Sequence, residues 1–208
     1  MQHPQQQNAH NLRAYYQFQS KIYDATRWSF LFGRQALVRG LPFEKEAEIQ
    51  VLEVGCGTGA NLLRLAERYP NARILGVDVS ADMLKLAAQK TQQHQRRVDL
   101  LEGYYGQLPI VRPPHLVVFS YCLTMVNPGW DRLIAQAYQD LVPGGYLAVV
   151  DFHYSPLPSF RRHMSGHHVR MEKHLLPVLT EKFTTVRADV HSAYGGAWQY
   201  LQYLGKKA

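Results

Sequence analysis

Two hydrophobic periods alternate along most of the chain. Short apolar runs, such as residues 49–54 and Leu116–Ser120, have the length and composition of buried strands. Between them, apolar residues recur every three or four positions, as at Leu62, Leu65 and Ala66, which is typical of helices with one buried face. The pattern therefore predicts strands and helices in alternation.

The same pattern sets the predicted architecture. We expect strands at 49–54, 73–77, 98–102, 116–120, 146–152, 183–191 and 197–204, and helices at 62–69, after Ser80, at 131–141 and in a His-rich insert around 157–180. Repeated strand–helix–strand units predict an α/β fold with a doubly wound, Rossmann-like sheet of about seven strands. The last two strands meet across Gly195-Gly196 as a hairpin, which would place the last strand antiparallel between its neighbours.

One domain accounts for most of the chain. A length of 208 residues, of which 46% are hydrophobic, suits a single core. We expect a disordered, Gln-rich leader at 1–10, an N-terminal helical arm or lid at 11–48, and the α/β domain at 49–208.

Charge and composition narrow the choice of binding partner and cellular compartment. The net charge of +7 favours an acidic partner, either nucleic acid or an anionic membrane surface. The N-terminus has no apolar signal segment, and Cys56 and Cys122 lie in apolar or glycine-rich stretches. These features predict a cytoplasmic protein with reduced thiols. They are also compatible with peripheral binding at the inner face of the membrane.

A glycine-rich segment after the first strand predicts a cofactor site. It reads Glu53-Val-Gly55-Cys56-Gly57-Thr-Gly59 and opens a helix, where glycines let backbone amides approach a ligand. Gly55, Gly57 and Ala60 also match the dinucleotide fingerprint, so an NAD-dependent oxidoreductase is the alternative from another class.

The acid in front of the glycines favours S-adenosylmethionine. A carboxylate at Glu53 would attract the ammonium and sulfonium of that cofactor, whereas it would repel a pyrophosphate. Asp78, at the end of the second strand, can accept hydrogen bonds from both ribose hydroxyls. A solvated or helix-capping Glu53 is the structural alternative.

Several segments together resemble the class I methyltransferases over residues 49–205. They are 53–59, 77–80, 120–121 and 141–145. The resemblance implies a cofactor site formed by Glu53, Gly55, Cys56, Gly57, Gly59, Asp78, Val79, Met83, Gly103, Tyr104 and Ser120. The acid that usually binds the adenine amine is replaced here by Gly103-Tyr104, so Tyr104 would bind adenine through its backbone or by stacking.

A narrower resemblance concerns the methyl acceptor. Residues 23–33, 120–125 and 150–152 are similar to betaine-lipid headgroup N-methyltransferases, which methylate the amine of diacylglyceryl homoserine. This resemblance implies a lipid or other small-molecule amine as substrate, a place in lipid metabolism, and a Tyr23 that closes over the cofactor. The Tyr23-Asp24 element is also similar to quinone C-methyltransferases. Quinone or other C/O-methylation and a non-catalytic cofactor-binding protein therefore stay open.

His153 and Tyr121 are the candidate catalytic residues. His153 follows the strand 146–152, and a neutral imidazole there could take the proton that an amine loses before methylation. A solvent-facing loop histidine is the other interpretation. Tyr121 follows Ser120 at the end of the fourth strand, where its ring could face a methylated ammonium.

Two further classes are disfavoured. His163 and His167 have metal-ligand spacing, but their segment holds only one acid, Glu172, and no cysteine, so we expect a capping insert without a metal. The Asn-Pro-Pro-aromatic element of nucleic-acid methyltransferases is missing after the fourth strand, which argues against nucleic acid.

The basic, aromatic N-terminal arm predicts membrane binding. Its bases are Arg13, Lys21, Arg27, Arg34 and Arg39, interleaved with Tyr15, Tyr16, Phe18, Trp28, Phe30 and Phe32. Each base near an anionic surface contributes about 1 kcal/mol. We expect salt-sensitive sedimentation with anionic vesicles that is lost on removal of residues 1–39. If vesicles leave recovery in the supernatant unchanged, the arm instead packs its aromatic residues on the domain.

Overall fold

The computed structural model describes residues 31–208 and contains one mixed seven-stranded sheet. Its strands are β1 Gln50–Val54, β2 Arg73–Asp78, β3 Val98–Glu102, β4 Leu116–Ser120, β5 Tyr146–Tyr154, β6 Thr184–Ala193 and β7 Trp198–Lys206. The order across the sheet is β3-β2-β1-β4-β5-β7-β6. Neighbouring pairs from β3 to β5 are parallel, whereas β7 is antiparallel to both β5 and β6. The predicted sheet, including the position of its last strand, is confirmed.

Helices cover both faces of this sheet. They are α1 Arg34–Arg39, α2 Ala60–Arg68, α3 Ala81–Lys90, α4 Trp130–Asp140, α5 Pro158–Gly166 and α6 Leu175–Lys182. Leu37, Leu65 and Leu84 of α1, α2 and α3 share one core cluster, whereas Ile134 and Leu179 of α4 and α6 belong to a second. The central strands are therefore buried on both sides, which explains why all five residues of β4 are buried.

The fifth strand is longer than the sequence predicted. It continues to Tyr154, and its register with β7 shifts between Phe152 and Tyr154. The shift places His153 inside an irregular strand end, so its predicted position in a loop after residue 152 is wrong. The chain beyond α5 returns to this end, since Tyr154 bridges to Glu172. The β5 end thus pairs on one side with Gln199 of β7 and on the other with Glu172.

The leader at 1–10, Tyr23 and most of the arm lie outside the described residues. The described part of the arm packs on the domain: Leu37 and Val38 are buried in the core, and the Phe32 ring lies 5.8 Å from the Trp198 ring. A deletion of residues 1–39 would therefore remove core residues. The vesicle measurement is better made by replacing Arg13, Lys21 and Arg27 with glutamine.

Candidate cofactor and acceptor site

The candidate site lies at the carboxyl edge of the central parallel strands. Glu53 is near the end of β1, Asp78 ends β2 and Ser120 ends β4. Because β1 lies between β2 and β4 in the sheet, these three residues meet at one edge. Ligands of open α/β sheets bind beyond this edge.

The turn after β1 is built on three glycines with left-handed backbone. Gly55, Gly57 and Gly59 have φ angles of 68°, 53° and 75°. A Cβ atom at Gly55 would lie 2.7 Å from the Cys122 sulfur, and one at Gly59 would lie 2.9 Å from the Ala87 Cβ. Of the residues described, none comes within 4 Å of a Cβ built at Gly57. Gly55 and Gly59 are therefore needed for packing, whereas Gly57 faces open space.

Asp78 holds this turn against the end of β2. Its Oδ2 accepts a hydrogen bond from the Gly57 amide at 2.8 Å, and its Oδ1 accepts one from the Ser80 amide at 3.0 Å. Burial raises the pKa of Asp78, while hydrogen bonds from Ser80, Gly57 and Val79 oppose that change. Ser80 also caps α3, as predicted, by accepting from the Met83 amide at 3.4 Å.

Glu53 is a buried carboxyl with one unused oxygen. Its side chain is 1% exposed, and its Oε1 accepts a hydrogen bond from Asn61 at 2.9 Å. Its Oε2 is buried and has no hydrogen-bond partner within residues 31–208. Burial raises the pKa of Glu53 to about 7, against the lowering effects of the Arg34 charge and the Asn61 hydrogen bond. The solvated-acid interpretation of Glu53 is therefore wrong.

The end of β3 distinguishes two neighbouring tyrosines. The Gly103 amide donates to the Asp78 carbonyl at 2.9 Å and joins this end to β2. Tyr105 is buried, and its hydroxyl donates to Asp140 at 2.7 Å, so its role is to stabilise the fold. Tyr104 is only half-buried. Of the two, Tyr104 remains the predicted adenine residue.

Asp151 is the residue whose importance sequence reasoning missed. It is fully buried in β5, where its carboxylate accepts hydrogen bonds from the Cys122, Thr124 and Phe152 amides at 3.1, 3.2 and 2.8 Å. The Thr124 hydroxyl donates to it as well, at 2.5 Å. Burial raises its pKa to about 6 despite these bonds. A lone acid within an otherwise apolar strand was the signal that could have revealed it.

The loop that Asp151 holds begins with Tyr121. Tyr121 has a left-handed φ of 53°, and its hydroxyl donates to the Phe32 carbonyl at 2.9 Å. Its ring packs edge-on against Phe152 at 4.8 Å. Next along the chain, Gly33 accepts a hydrogen bond from Gln202 at 2.7 Å. Tyr121 and Gln202 thus bind the described start of the chain to the site edge, a contact that the sequence did not indicate for Tyr121.

His153 is buried rather than solvent-facing. It is 7% exposed, and its Nδ1 is buried with no partner in the described part of the chain. Burial lowers its pKa, and the nearby Lys173 charge adds to that effect. The described contacts do not join it to Tyr121, because Tyr121 packs on Phe152 and the neighbours of His153 are Lys173 and His174. The alternative interpretation of His153 as a solvent-facing loop histidine is therefore wrong.

His163 and His167, the two histidines with metal-ligand spacing, contact each other through their rings. The His163 and His167 rings lie 4.8 Å apart. Among residues 31–208, no group of three histidine, cysteine, aspartate or glutamate side chains is arranged to hold a metal ion.

Comparison with known proteins agrees with this geometry. Residues 51–145 match the family model described as a methyltransferase domain. Trans-aconitate 2-methyltransferase of Deinococcus radiodurans is 35% identical over 119 residues, which are 55% of this chain and 40% of that protein. Demethylmenaquinone methyltransferase of Listeria monocytogenes is 28% identical over 64% of this chain and 55% of its own. The chain thus matches only about half, or less, of these relatives' lengths.

A solved structure extends the likeness of the methyltransferase domain to the whole fold. The 1,6-didemethyltoxoflavin-N1-methyltransferase of Burkholderia thailandensis, with bound S-adenosylhomocysteine, aligns with a TM-score of 0.75. The alignment covers 100% of this chain and 92% of that chain, at 17% identity. At this identity the comparison supports the fold and not the acceptor.

The site has residues that fit S-adenosylmethionine, the cofactor that the match to a methyltransferase domain indicates. Glu53 offers a buried carboxylate oxygen for the ammonium, and the open space at Gly57 leaves the turn accessible to a ligand. Asp78 and Ser120 lie at the same edge, Cys56 lies within the turn, and Val79 and Met83 follow the end of β2. Their individual contacts with the cofactor stay predictions.

Gly57 and Gly59 allow a matched test that separates stability from cofactor binding. Gly59→Ala should lower the free energy of unfolding by about 2–5 kcal/mol, from left-handed strain and the contact with Ala87. Gly57→Ala should lower it by only about 1–2 kcal/mol, the strain alone. Gly57→Ala should nevertheless weaken S-adenosylhomocysteine binding about tenfold or more. Denaturant unfolding and calorimetry measure both, and equal stability losses would contradict the contrast.

Glu53 predicts a pH-dependent cofactor affinity. Its pKa of about 7 means that the carboxyl of the free protein is largely protonated at pH 6 and ionised at pH 8. Because a cationic ammonium stabilises the ionised form, S-adenosylhomocysteine affinity should rise between pH 6 and 8, and binding near pH 7 should release a proton. Glu53→Gln should bind more weakly at pH 8 without this slope. Calorimetry in two buffers of different ionisation enthalpy detects the proton, and the same slope in both proteins would refute the assignment.

Proposed function

We propose that the protein transfers methyl groups from S-adenosylmethionine to a small-molecule amine, and more narrowly to a lipid headgroup amine of the diacylglyceryl homoserine type. The observation that carries the methyl-donor half is the buried, unpartnered Oε2 of Glu53 beside the open turn at Gly57. An unpaired carboxylate there suits a cationic ligand and disfavours the pyrophosphate of a nicotinamide cofactor.

When bound, S-adenosylmethionine supplies a methyl group activated by its sulfonium. The chain's own part is then to align the acceptor at about 3–3.5 Å and to exclude water. The buried Tyr121 and Phe152, and the segment at Phe32, lie where such an acceptor would approach the β4 and β5 ends. Asp151 holds the loop after β4 through hydrogen bonds from the Cys122 and Thr124 amides, which supports a rigid surface for the acceptor.

His153 supports an acceptor that must lose a proton. Burial and the Lys173 charge keep its imidazole neutral, and its Nδ1 has no partner in residues 31–208. A neutral imidazole at the end of β5 can accept the proton of an ammonium before the nitrogen attacks. We therefore assign His153 as the general base in this proposal.

The lipid part of the proposal has separate support. It comes from the resemblance at residues 23–33, 120–125 and 150–152 and from the basic arm, which lies largely outside the described residues. In the described part of the chain, no helix is long and apolar enough to cross a membrane.

Quinone C-methylation is the second candidate. The relative of this activity, demethylmenaquinone methyltransferase, aligns over 64% of the chain at 28% identity. Carbon methylation also needs a base, so His153 does not separate the two. A panel of acceptors with labelled cofactor does: betaine-lipid precursors, phospholipids and quinones.

We expect His153→Gln to separate the base from cofactor binding. Turnover on the responding acceptor should fall by about 10²–10⁴-fold, whereas S-adenosylhomocysteine affinity should stay within about twofold. Because the pKa of His153 is lowered, the wild-type rate should fall only on the acid side of its ordinary range, and this limb should vanish in the variant. His191→Gln, at a β6 histidine, is the matched control. An unchanged pH–rate profile would remove His153 from the mechanism, and label in no acceptor class would sink the proposed function.

A further inference from the structure

Two cationic side chains share one aromatic ring beside the candidate base. The Lys173 ammonium lies 4.4 Å from the centroid of the Tyr154 ring, and the Arg161 guanidinium carbon lies 5.3 Å from the same centroid. Arg161 also donates to the Ser155 carbonyl at 2.5 Å. The ring and this carbonyl hold both cations in place from different elements, the start of α5 and the segment before α6.

Within residues 31–208, neither of these cations forms a salt bridge with a carboxylate. Glu172 is the one acid between residues 152 and 174, and its Oε2 accepts a hydrogen bond from Arg170 at 2.6 Å. Asp151, the nearest acid before them, is buried and bonded to the loop after β4. The described side-chain contacts of these cations are therefore the Tyr154 ring, for both, and the Ser155 carbonyl, for Arg161. Both groups attract a cation without neutralising its charge.

The backbone at Lys173 is held in an uncommon conformation. Its φ is 60°, in the left-handed region that a lysine rarely adopts. The Lys173 amide donates to the His153 carbonyl at 2.9 Å, and this bond fixes the residue against the end of β5. Such strain persists where surrounding contacts impose it. Here it brings a second positive charge to Tyr154.

We propose that Arg161 and Lys173, gathered on the Tyr154 ring, bind an anionic group of the methyl acceptor, either a carboxylate or a phosphate. The inference rests on the proposed function, since it concerns the acceptor of that same site. An anion between these side chains would neutralise two like charges that the fold brings together. Because the Lys173 amide bonds to the His153 carbonyl and Tyr154 follows His153 in β5, the acceptor would bind at the strand end that carries the base.

Anion binding can be measured without knowing the acceptor. Chemical shifts of the Tyr154 ring are followed by NMR while the full-length protein is titrated with inorganic phosphate and, separately, with acetate, at constant ionic strength. We expect saturable binding of one of them in the wild type, and the preferred anion tells a phosphate from a carboxylate. Binding should weaken about tenfold in Arg161→Gln and in Lys173→Gln.

Three variants keep this test specific. Arg162→Gln removes an exposed neighbouring charge on the same helix and should leave anion binding unchanged. Tyr154→Phe keeps the ring and should also bind normally. Lys173→Gly removes the charge together with the left-handed strain, so it should be at least as stable as the wild type yet bind the anion about tenfold more weakly.

The outcomes separate this inference from the proposed function. All these variants should bind S-adenosylhomocysteine as the wild type does, and on a responding acceptor Lys173→Gly should raise KM about tenfold with little change in kcat. Absence of saturable shifts with both anions in the wild type, or equal weakening in Arg162→Gln, would overturn the anion site even where methylation is observed. Anion binding by a protein that methylates no acceptor would instead overturn the proposed function and, with it, the assignment to an acceptor.

Discussion

The hydrogen bond from the Gly57 amide to the Asp78 carboxylate, 2.8 Å long, fixes the turn on which the rest of the site depends. It joins the segment after β1 to the end of β2, while the Gly55 and Cys56 amides both donate to the Val77 carbonyl. With these bonds in place, the turn keeps its left-handed glycines and leaves Gly57 open to a ligand. The fold thereby presents an open turn at the sheet edge where the cofactor is expected to bind.

Buried acids set the electrostatics beneath that surface. Glu53, Asp78 and Asp151 are each at least nine-tenths buried, and burial raises the pKa of all three. They differ in how fully they are bonded. Asp78 and Asp151 accept several backbone hydrogen bonds and hold loops, whereas Glu53 keeps one oxygen unbonded within the described chain. A buried carboxyl oxygen without a partner, near two carboxyls whose oxygens already accept backbone hydrogen bonds, is the arrangement expected of a group that binds a cation.

The segment between β5 and α6 carries positive charge. Arg161 and Lys173 converge on Tyr154, and the Lys173 charge contributes to keeping His153 neutral. In the proposed function, the buried acids would attract the cationic methyl donor, and Arg161 and Lys173 would attract an anionic acceptor.

The sequence by itself determined the fold, the glycine turn and the helix cap at Ser80, because each depends on local features: apolar runs, glycine spacing and a capping side chain. Only the tertiary structure decided the bulged end of β5, the burial of His153, the loop-holding bonds of Asp151 and the gathering of Arg161 and Lys173 on one ring. These features arise from contacts between β5 and residues distant along the chain, such as Cys122, whose amide bonds to Asp151, and Gln199, which pairs with Tyr154. Periodicity reports which face of an element is apolar, and it contains no information on which distant donor meets a buried acid or which cation reaches a given ring.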